Sequence, residues 1–236
     1  MKEAIKESEK KEVMRNKDWP DFVEYDERTF PTGKPMVQQA RYLQEKFGLA
    51  QAEANDIIAY KNYLDFTFPE LVDKKILDIG SGMGGFKQGL VKMGYRARNI
   101  VSLTRIYNRV SKEQKLDIQG LAEFLPLKDE SFDIAVANCS VPVMAASDGD
   151  FEIIPQIFKE MMRVVKRSGE LKVYPVGGYH AEFDDRTNKS GARLTQIMRR
   201  ELEKLHKEQP GTKIKISKVL FGGDSQNYGY ALSVWK

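Results

Sequence analysis

The stretch Ile76-Leu77-Asp78-Ile79-Gly80-Ser81-Gly82-Met83-Gly84 decides the fold class of this chain. Four residues suited to a buried strand are followed by glycines at every second position, and a helical pattern begins near Phe86. Glycine lets the backbone turn sharply and approach a ligand where a Cβ would collide. The N–H groups at the start of the following helix attract negative or polar ligand atoms. The stretch therefore predicts a strand, a ligand-binding turn and a helix.

Segments on both sides of this turn complete an α/β pattern. Downstream, strands alternate with helices, which is typical of a parallel sheet with crossovers. The predicted strands are 99–103, 116–119, 132–138 and 171–176, the last entered through a turn at Gly169, and the predicted helices are 86–93, 151–165 and 194–206. A closing hairpin is predicted over 213–221 and 230–235.

The chain before the turn predicts an N-terminal extension. Helical spacing covers 35–47 and 50–66, and residues 19–34 predict an irregular linker whose aromatic residues (Trp19, Phe22, Tyr25, Phe30) lie on the core. Residues 1–18 carry six positive and five negative charges and predict a charged tail or helix. We therefore expect a tail at 1–18, a helical cap at 19–70 and a ligand-binding domain at 71–236.

Composition excludes several classes of protein and site. The 236 residues are 41% hydrophobic and 31% charged, with no run near the ~18 apolar residues that a membrane span needs. One cysteine, Cys139, allows no intramolecular disulfide, and with only two histidines a structural zinc site is disfavoured. The N-terminus lacks the apolar segment of a secretory signal. We expect a cytoplasmic protein with no bound metal.

Four stretches between Lys75 and Val176 together resemble the class I methyltransferases that use S-adenosylmethionine. They are 76–84, the approach to the fourth strand at 122–133, Asn138 with Ser140, and the helix and turn at 158–171. The resemblance implies a Rossmann-like fold with a mostly parallel seven-stranded sheet, helices on both faces and a C-terminal antiparallel hairpin. S-adenosylmethionine would lie across the carboxyl ends of the first strands, where open α/β sheets place ligands.

The same resemblance implies a set of cofactor-binding residues: Asp78, Gly80, Ser81, Gly82, Gly84, Thr104, Arg105, Leu121, Ala122 and Asn138. Two of these positions depart from the family pattern. Thr104, followed by Arg105, stands where the family usually has an acidic residue for the ribose. Leu121 stands where an aspartate often meets the adenine. Each departure replaces a charge-assisted hydrogen bond by a weaker one or none. The expected loss of cofactor-binding free energy is on the order of 1 kcal/mol for each.

Methyl transfer requires that the acceptor is oriented and that its proton has a destination. The sequence of such an enzyme therefore need not contain a strong catalytic motif. His180 follows the fifth strand and is the candidate base; an exposed loop histidine is the alternative. Cys139 suggests a nucleophile only weakly, because a lone cysteine is more often a small hydrophobic residue. We expect His206 at the surface. Asp184 and Asp185 could bind an amine or a metal, but two adjacent loop carboxylates are more often only solvated. Tyr60 and Tyr63 could cover the methionine end of the cofactor, although core packing is the commoner explanation.

The leading hypothesis is a methyltransferase acting on a small molecule, with the N-terminal helices covering the substrate. One alternative is a catalytically weak methyltransferase-like scaffold that binds protein or nucleic acid, and another is a different nucleotide-dependent enzyme. Residues 189–218 contain nine Lys or Arg against three Glu, which suits an anionic partner. Without interleaved aromatic residues we instead expect a solvated helix face and a lysine-protected edge strand.

Overall fold

The computed structural model describes residues 19–30, 34–105, 117–180, 185–221 and 224–236. The predicted tail at 1–18 lies outside them. The strands are β1 Glu24–Phe30, β2 Ile76–Ile79, β3 Ile100–Thr104, β4 Ile118–Gln119, β5 Phe132–Asn138, β6 Val165–Tyr174, β7 Gly178–His180, β8 Lys213–Phe221 and β9 Asp224–Trp235. The α-helices are α1 Lys34–Phe47, α2 Gln51–Leu64, α3 Gly85–Lys92, α4 Val143–Asp148, α5 Ile154–Val164 and α6 Asp185–Glu208.

These strands form one sheet in the order β1-β8-β9-β6-β5-β2-β3-β4, with β7 paired to β9. The pairs from β6 to β4 are parallel, whereas β9 runs antiparallel to β6, β7 and β8. The predicted Rossmann-like sheet with a terminal antiparallel hairpin is therefore confirmed. The carboxyl ends of β2, β3, β5 and β6 meet at one edge, which positions the candidate site.

The strand count differs from the predicted seven, because nine strands of the described residues join the sheet. One addition, β7, follows β6 closely. The other, β1, lies in the segment predicted to be a linker and runs parallel to β8. Its residues EYDERTF alternate only weakly and are rich in charge, so their periodicity does not mark a strand. The basic strand β8 therefore does not form the edge of the sheet; β1 covers it.

Two further boundaries differ from the sequence prediction. Strand β6 begins at Val165, directly after α5, and continues through Gly169 where a turn was predicted. A Cβ at Gly169 would lie 2.7 Å from the carbonyl oxygen of Asp133, so glycine is required for close approach to β5. The short helix α4 and the first residues of α6 were not predicted.

Helices cover both faces of the sheet and create two apolar clusters. Helices α1, α2 and α3 pack on one face around Ile57, Ile76 and Phe86. Helices α4, α5 and α6 pack on the other around Leu77, Met161 and many further buried residues. Both faces of β2 are consequently buried, which explains its continuous apolar character.

The predicted core location of the N-terminal aromatics holds for Trp19, which is buried and packs edge-to-face on Tyr230 at 5.2 Å between ring centroids. Phe22 is instead partly exposed and stacks on His206 at 4.0 Å. His206 therefore belongs to a ring contact on α6 and has no direct place at the carboxyl edge of the sheet.

Candidate functional site

The glycine turn after β2 takes the left-handed backbone that its sequence predicts. Gly80, Gly82 and Gly84 have φ angles of 72°, 56° and 75°. The N–H groups of Gly80 and Ser81 donate to the carbonyl of Leu103 at 2.8 and 3.1 Å, which fixes the turn to the end of β3. The turn is thus held by the sheet itself.

Two of these glycines are required for different reasons. A Cβ at Gly80 would clash with the side chain of Ser140, so this position is a packing contact between two loops. A Cβ at Gly82 would meet no atom within 4 Å. Gly82 therefore faces open space, and a ligand can approach its backbone there.

Hydrogen bonds draw the ends of three strands together around this turn. The Ser140 hydroxyl donates to the carbonyl of Ile79 at 2.7 Å. The Cys139 N–H donates to the carbonyl of Tyr174, also at 2.7 Å. The segments after β2, β5 and β6 consequently form one continuous floor, on which the predicted residue Asn138 also lies.

Asp78 is the central charged group of the floor. It is completely buried, and the Tyr60 hydroxyl donates to its Oδ1 at 2.6 Å. Its Oδ2 is buried without a hydrogen-bond partner. Burial raises the pKa of Asp78 from 3.8 to about 7, with the Tyr60 bond opposing and the charge of Asp56 adding to the rise. A carboxyl group in this state is poised to receive a donor.

The sequence analysis missed Asp56, which lies one helical turn before Tyr60 on α2. A Cβ at Gly85, the first residue of α3, would clash with its Oδ2. Burial raises the pKa of Asp56 from 3.8 to about 6. The available signal was an acidic residue beside Ile57 and Ile58 on a helix that packs on the core.

Aromatic hydroxyls and a thiol surround these carboxyls. Tyr63 on α2 stacks on Tyr174 at the end of β6, with 4.2 Å between ring centroids. Burial, and secondarily the charge of Asp56, raise the pKa of the Cys139 thiol to about 11. A thiol held protonated at neutral pH is a poor nucleophile. Cys139 is nevertheless exposed, so the structure does not support a packing role for it either.

The predicted ribose and adenine positions lie side by side at the ends of β3 and β4. Thr104 is buried, and its carbonyl accepts the N–H of Gly120 at 3.0 Å. Arg105 and Leu121 are exposed, whereas Ala122 is buried. The neighbouring Asp117 does not replace the missing acid, because its carboxylate accepts from the Ser102 N–H and from Lys87.

The remaining candidate residues are placed less directly. His180 ends β7, opposite Asn227 of β9. Asp184 lies outside the described residues, and Asp185 begins α6. Among the residues described, no group of three or more His, Cys, Asp or Glu side chains could hold a metal ion.

A small cavity opens beside this floor, between the segment after β6 and helices α4 and α6. Its volume is about 180 Å³, and its lining includes Val143, Ala146, Ser147, Pro175, Gly191 and Leu194. None of the described residues that line it is charged. A larger groove of about 660 Å³ lies between α5 and α6 and has a mixed-charge lining.

The basic C-terminal region is partly neutralised by acidic partners. Strand β8 sets Lys213, Lys215 and Lys218 against acidic residues of β1, with N–O distances of 3.2, 2.8 and 3.6 Å. On α6, Arg199 pairs with Glu203 at 3.1 Å. Ion pairs within the fold thus neutralise part of the positive charge of this region.

Comparisons with known proteins found a family model and solved structures that are similar to this chain. Residues 77–173 match the family model described as a methyltransferase domain. Similar solved structures include a SAM-dependent methyltransferase of Thermotoga maritima (17% identity, 82% of this chain and 98% of that chain covered, TM-score 0.42). Another is from Methanosarcina mazei (16%, 70% and 93%, 0.41), and a third is a protein of Pyrococcus horikoshii (17%, 83% and 98%, 0.45). No curated protein matches the chain.

Proposed function

We propose that the chain transfers a methyl group from S-adenosylmethionine to a small-molecule acceptor, which the match of residues 77–173 to a methyltransferase-domain model supports. The observation that carries this proposal is the space above Gly82, where a Cβ would meet no atom within 4 Å. The φ of 56° itself favours glycine at that position, and the open space leaves the Gly82 backbone accessible to a ligand.

The residues of the site fit this cofactor well at the turn and less fully at the ribose. The backbone from Gly80 to Gly84, with Asp78 beside it, would hold the amino-acid end. Thr104 would offer a hydroxyl to the ribose, and the backbone near Ala122 would meet the adenine. When bound, S-adenosylmethionine supplies a methyl group on a positively charged sulfur. The chain's own task is then to orient the acceptor and accept its proton, for which His180 stays the proposed base.

The 180 Å³ cavity supports a small acceptor. A cavity of roughly 150 Å³ is enough to hold a benzene ring, so this one suits a group of about one ring. The absence of charge among its described lining residues favours a neutral group. Helix α2 supplies Tyr60 and Tyr63, which supports the proposal that the 19–70 segment covers the substrate. The domain boundary at residue 70 stays a prediction.

A scaffold without strong catalysis is the second candidate. It is favoured by Thr104 and Leu121 at the ribose and adenine positions, and by Asp117, whose carboxylate is occupied by Lys87 and Ser102. None of the described helices is long and apolar enough to cross a membrane. A cytoplasmic location is part of the proposal.

Calorimetric titration with S-adenosylmethionine and S-adenosylhomocysteine tests the proposal. We expect heat of binding in the wild-type protein and none in Gly82→Val, because the new side chain would occupy the ligand's space. Gly48→Val is the matched control: its φ is 65°, its Cβ would also meet nothing within 4 Å, and it lies at the end of α1.

Both variants place a side chain in a left-handed backbone, at a cost of roughly 1–2 kcal/mol. Their melting temperatures should fall by a similar roughly 2–8 °C. Absence of heat in the wild type would favour the scaffold. Undiminished heat in folded Gly82→Val would place the ligand elsewhere.

A further inference from the structure

We propose that Glu160 and Arg163 of α5 are positioning residues of the cofactor site, which hold the loop after β4 in the conformation that receives the adenine ring. Residues 121–127 of that loop are called the adenine loop below. The inference rests on the proposed function, because it takes the adenine to lie beside Ala122.

Two side chains on one face of α5 bind the backbone of the adenine loop. Arg163 donates from Nη2 to the carbonyl of Leu125 at 2.9 Å and from Nη1 to the carbonyl of Leu127 at 2.7 Å. The Leu125 N–H donates in turn to Oε2 of Glu160 at 3.0 Å. Because Glu160 and Arg163 are three residues apart on the helix, both reach the same stretch of loop.

Helix α5 is the support of this loop. In the part of the chain that the structure describes, every hydrogen bond that joins residues 121–127 to another element comes from α5. The third side chain involved is Gln156, which donates to the carbonyl of Glu123 at 3.2 Å. Strand β4, directly before the loop, contains only two residues and pairs with β3 alone. The helix therefore sets the position of the adenine loop more than the sheet does.

Glu160 and Arg163 also fix each other, and together they form a clamp. Arg163 donates from Nε and Nη2 to the two carboxylate oxygens of Glu160 at 2.9 and 2.7 Å. The hydrogen bond from Arg163 lowers the pKa of Glu160, so the carboxylate is charged at neutral pH. A guanidinium group holds its donors in a planar fork and reaches a carboxylate and two carbonyls at once, which the single ammonium of lysine does not reproduce.

The sequence of the adenine loop makes the position of its backbone decisive. Leu121 and Ala122 have no hydrogen-bonding side chains, so hydrogen bonds from these residues to the adenine come from main-chain N–H and C=O groups. Adenine presents an amino donor beside a ring-nitrogen acceptor, and hypoxanthine presents an oxygen acceptor beside an N–H donor. Main-chain groups in fixed positions distinguish the two rings, whereas a loop that can shift adapts to either. We therefore expect the clamp to determine base selectivity.

Calorimetric titration with S-adenosylhomocysteine and S-inosylhomocysteine tests the clamp. In the wild-type protein the adenine compound should bind about ten- to hundredfold more tightly. In Arg163→Lys and in Glu160→Gln this ratio of affinities should fall at least about fivefold. A variant that is only less stable loses affinity for both compounds in proportion, so the ratio separates positioning from stability. Lys166→Met is the matched control, because it removes an ion pair of 2.8 Å with Asp133 and should keep the wild-type ratio.

Amide hydrogen exchange of the ligand-free protein gives a second readout. Since the Leu125 N–H donates to Glu160, its exchange should be about tenfold faster or more in Arg163→Lys and unchanged in Lys166→Met. Wild-type protein that binds neither compound would overturn the proposed function, while the exchange rates still test whether the clamp holds the loop. Wild-type protein that binds both compounds equally, or a ratio unchanged in both clamp variants, would leave the function standing and overturn the inference.

Discussion

Replacing Asp78 by asparagine should make the ligand-free protein more stable at pH 8. The ionised carboxylate is completely buried, and burial lifts its pKa from 3.8 to about 7. Since each pKa unit is worth about 1.4 kcal/mol, the ionised form destabilises the fold by on the order of 4 kcal/mol. Asparagine removes the charge and can still accept from Tyr60.

The gain is smaller than the full electrostatic cost, because the new amide brings N–H donors into a buried position. An unpaired buried polar group costs about 1–3 kcal/mol. We therefore expect a net stabilisation of about 1–3 kcal/mol, or a rise in melting temperature of roughly 2–4 °C for each kcal/mol. Binding of S-adenosylmethionine should weaken in the same variant.

The sign of the pH dependence follows from the raised pKa. The folded protein holds the Asp78 proton more tightly than the unfolded chain does. The contribution of Asp78 to the free energy of unfolding is therefore greatest below about pH 4. It falls as the pH rises to about 7 and is constant above that pH. Asp56, whose pKa is about 6, acts in the same direction. The difference between Asp78→Asn and wild type should accordingly grow with pH across this window.

Urea unfolding at several pH values between 5 and 8.5 measures the effect. Asp133→Asn is the opposite control: burial acts to raise the pKa of Asp133, but Lys166 at 2.8 Å and the Lys75 N–H outweigh it and lower that pKa. That variant should lose stability at pH 8. An Asp78→Asn protein less stable than wild type at pH 8, or a difference independent of pH, would refute the buried-charge argument.

Three further predictions concern the cofactor, the basic helix and a loop anchor. Thr104→Asp should tighten S-adenosylmethionine binding by about five- to tenfold in calorimetry, because a carboxylate accepts from two ribose hydroxyls; unchanged affinity would mean that the ribose lies elsewhere. Gel shifts at two salt concentrations should show no nucleic-acid complex tighter than micromolar, and a salt-steep complex lost in Arg199→Glu/Arg200→Glu would contradict a small-molecule acceptor. Arg163→Met should lower the free energy of unfolding in urea by about 2–3 kcal/mol, since Arg163 donates to Glu160 and to two loop carbonyls. Arg163→Lys should recover only part of this loss. Full recovery by lysine would show that charge alone matters.

Local sequence determined the elements that build the sheet centre. Strand β2 is a run of four buried residues, and the glycines after it permit the left-handed backbone of the turn, so both are visible in the chain itself. The amphipathic spacing of α5 and the hairpin of β8 and β9 likewise follow from residues close in sequence. The glycine turn could therefore be predicted without any knowledge of distant contacts.

Only the tertiary structure decided which residues meet at the site. Strand β1 forms by pairing with β8, where acidic residues at 24–30 meet lysines nearly two hundred positions away. The Asp56 carboxyl borders Gly85 because α2 packs against α3, a contact that its neighbours in sequence do not reveal. The need for Gly80 depends on Ser140, sixty residues later. Sequence periodicity reports how one element is buried, whereas the charge state of Asp78 and Asp56 depends on what other elements place around them.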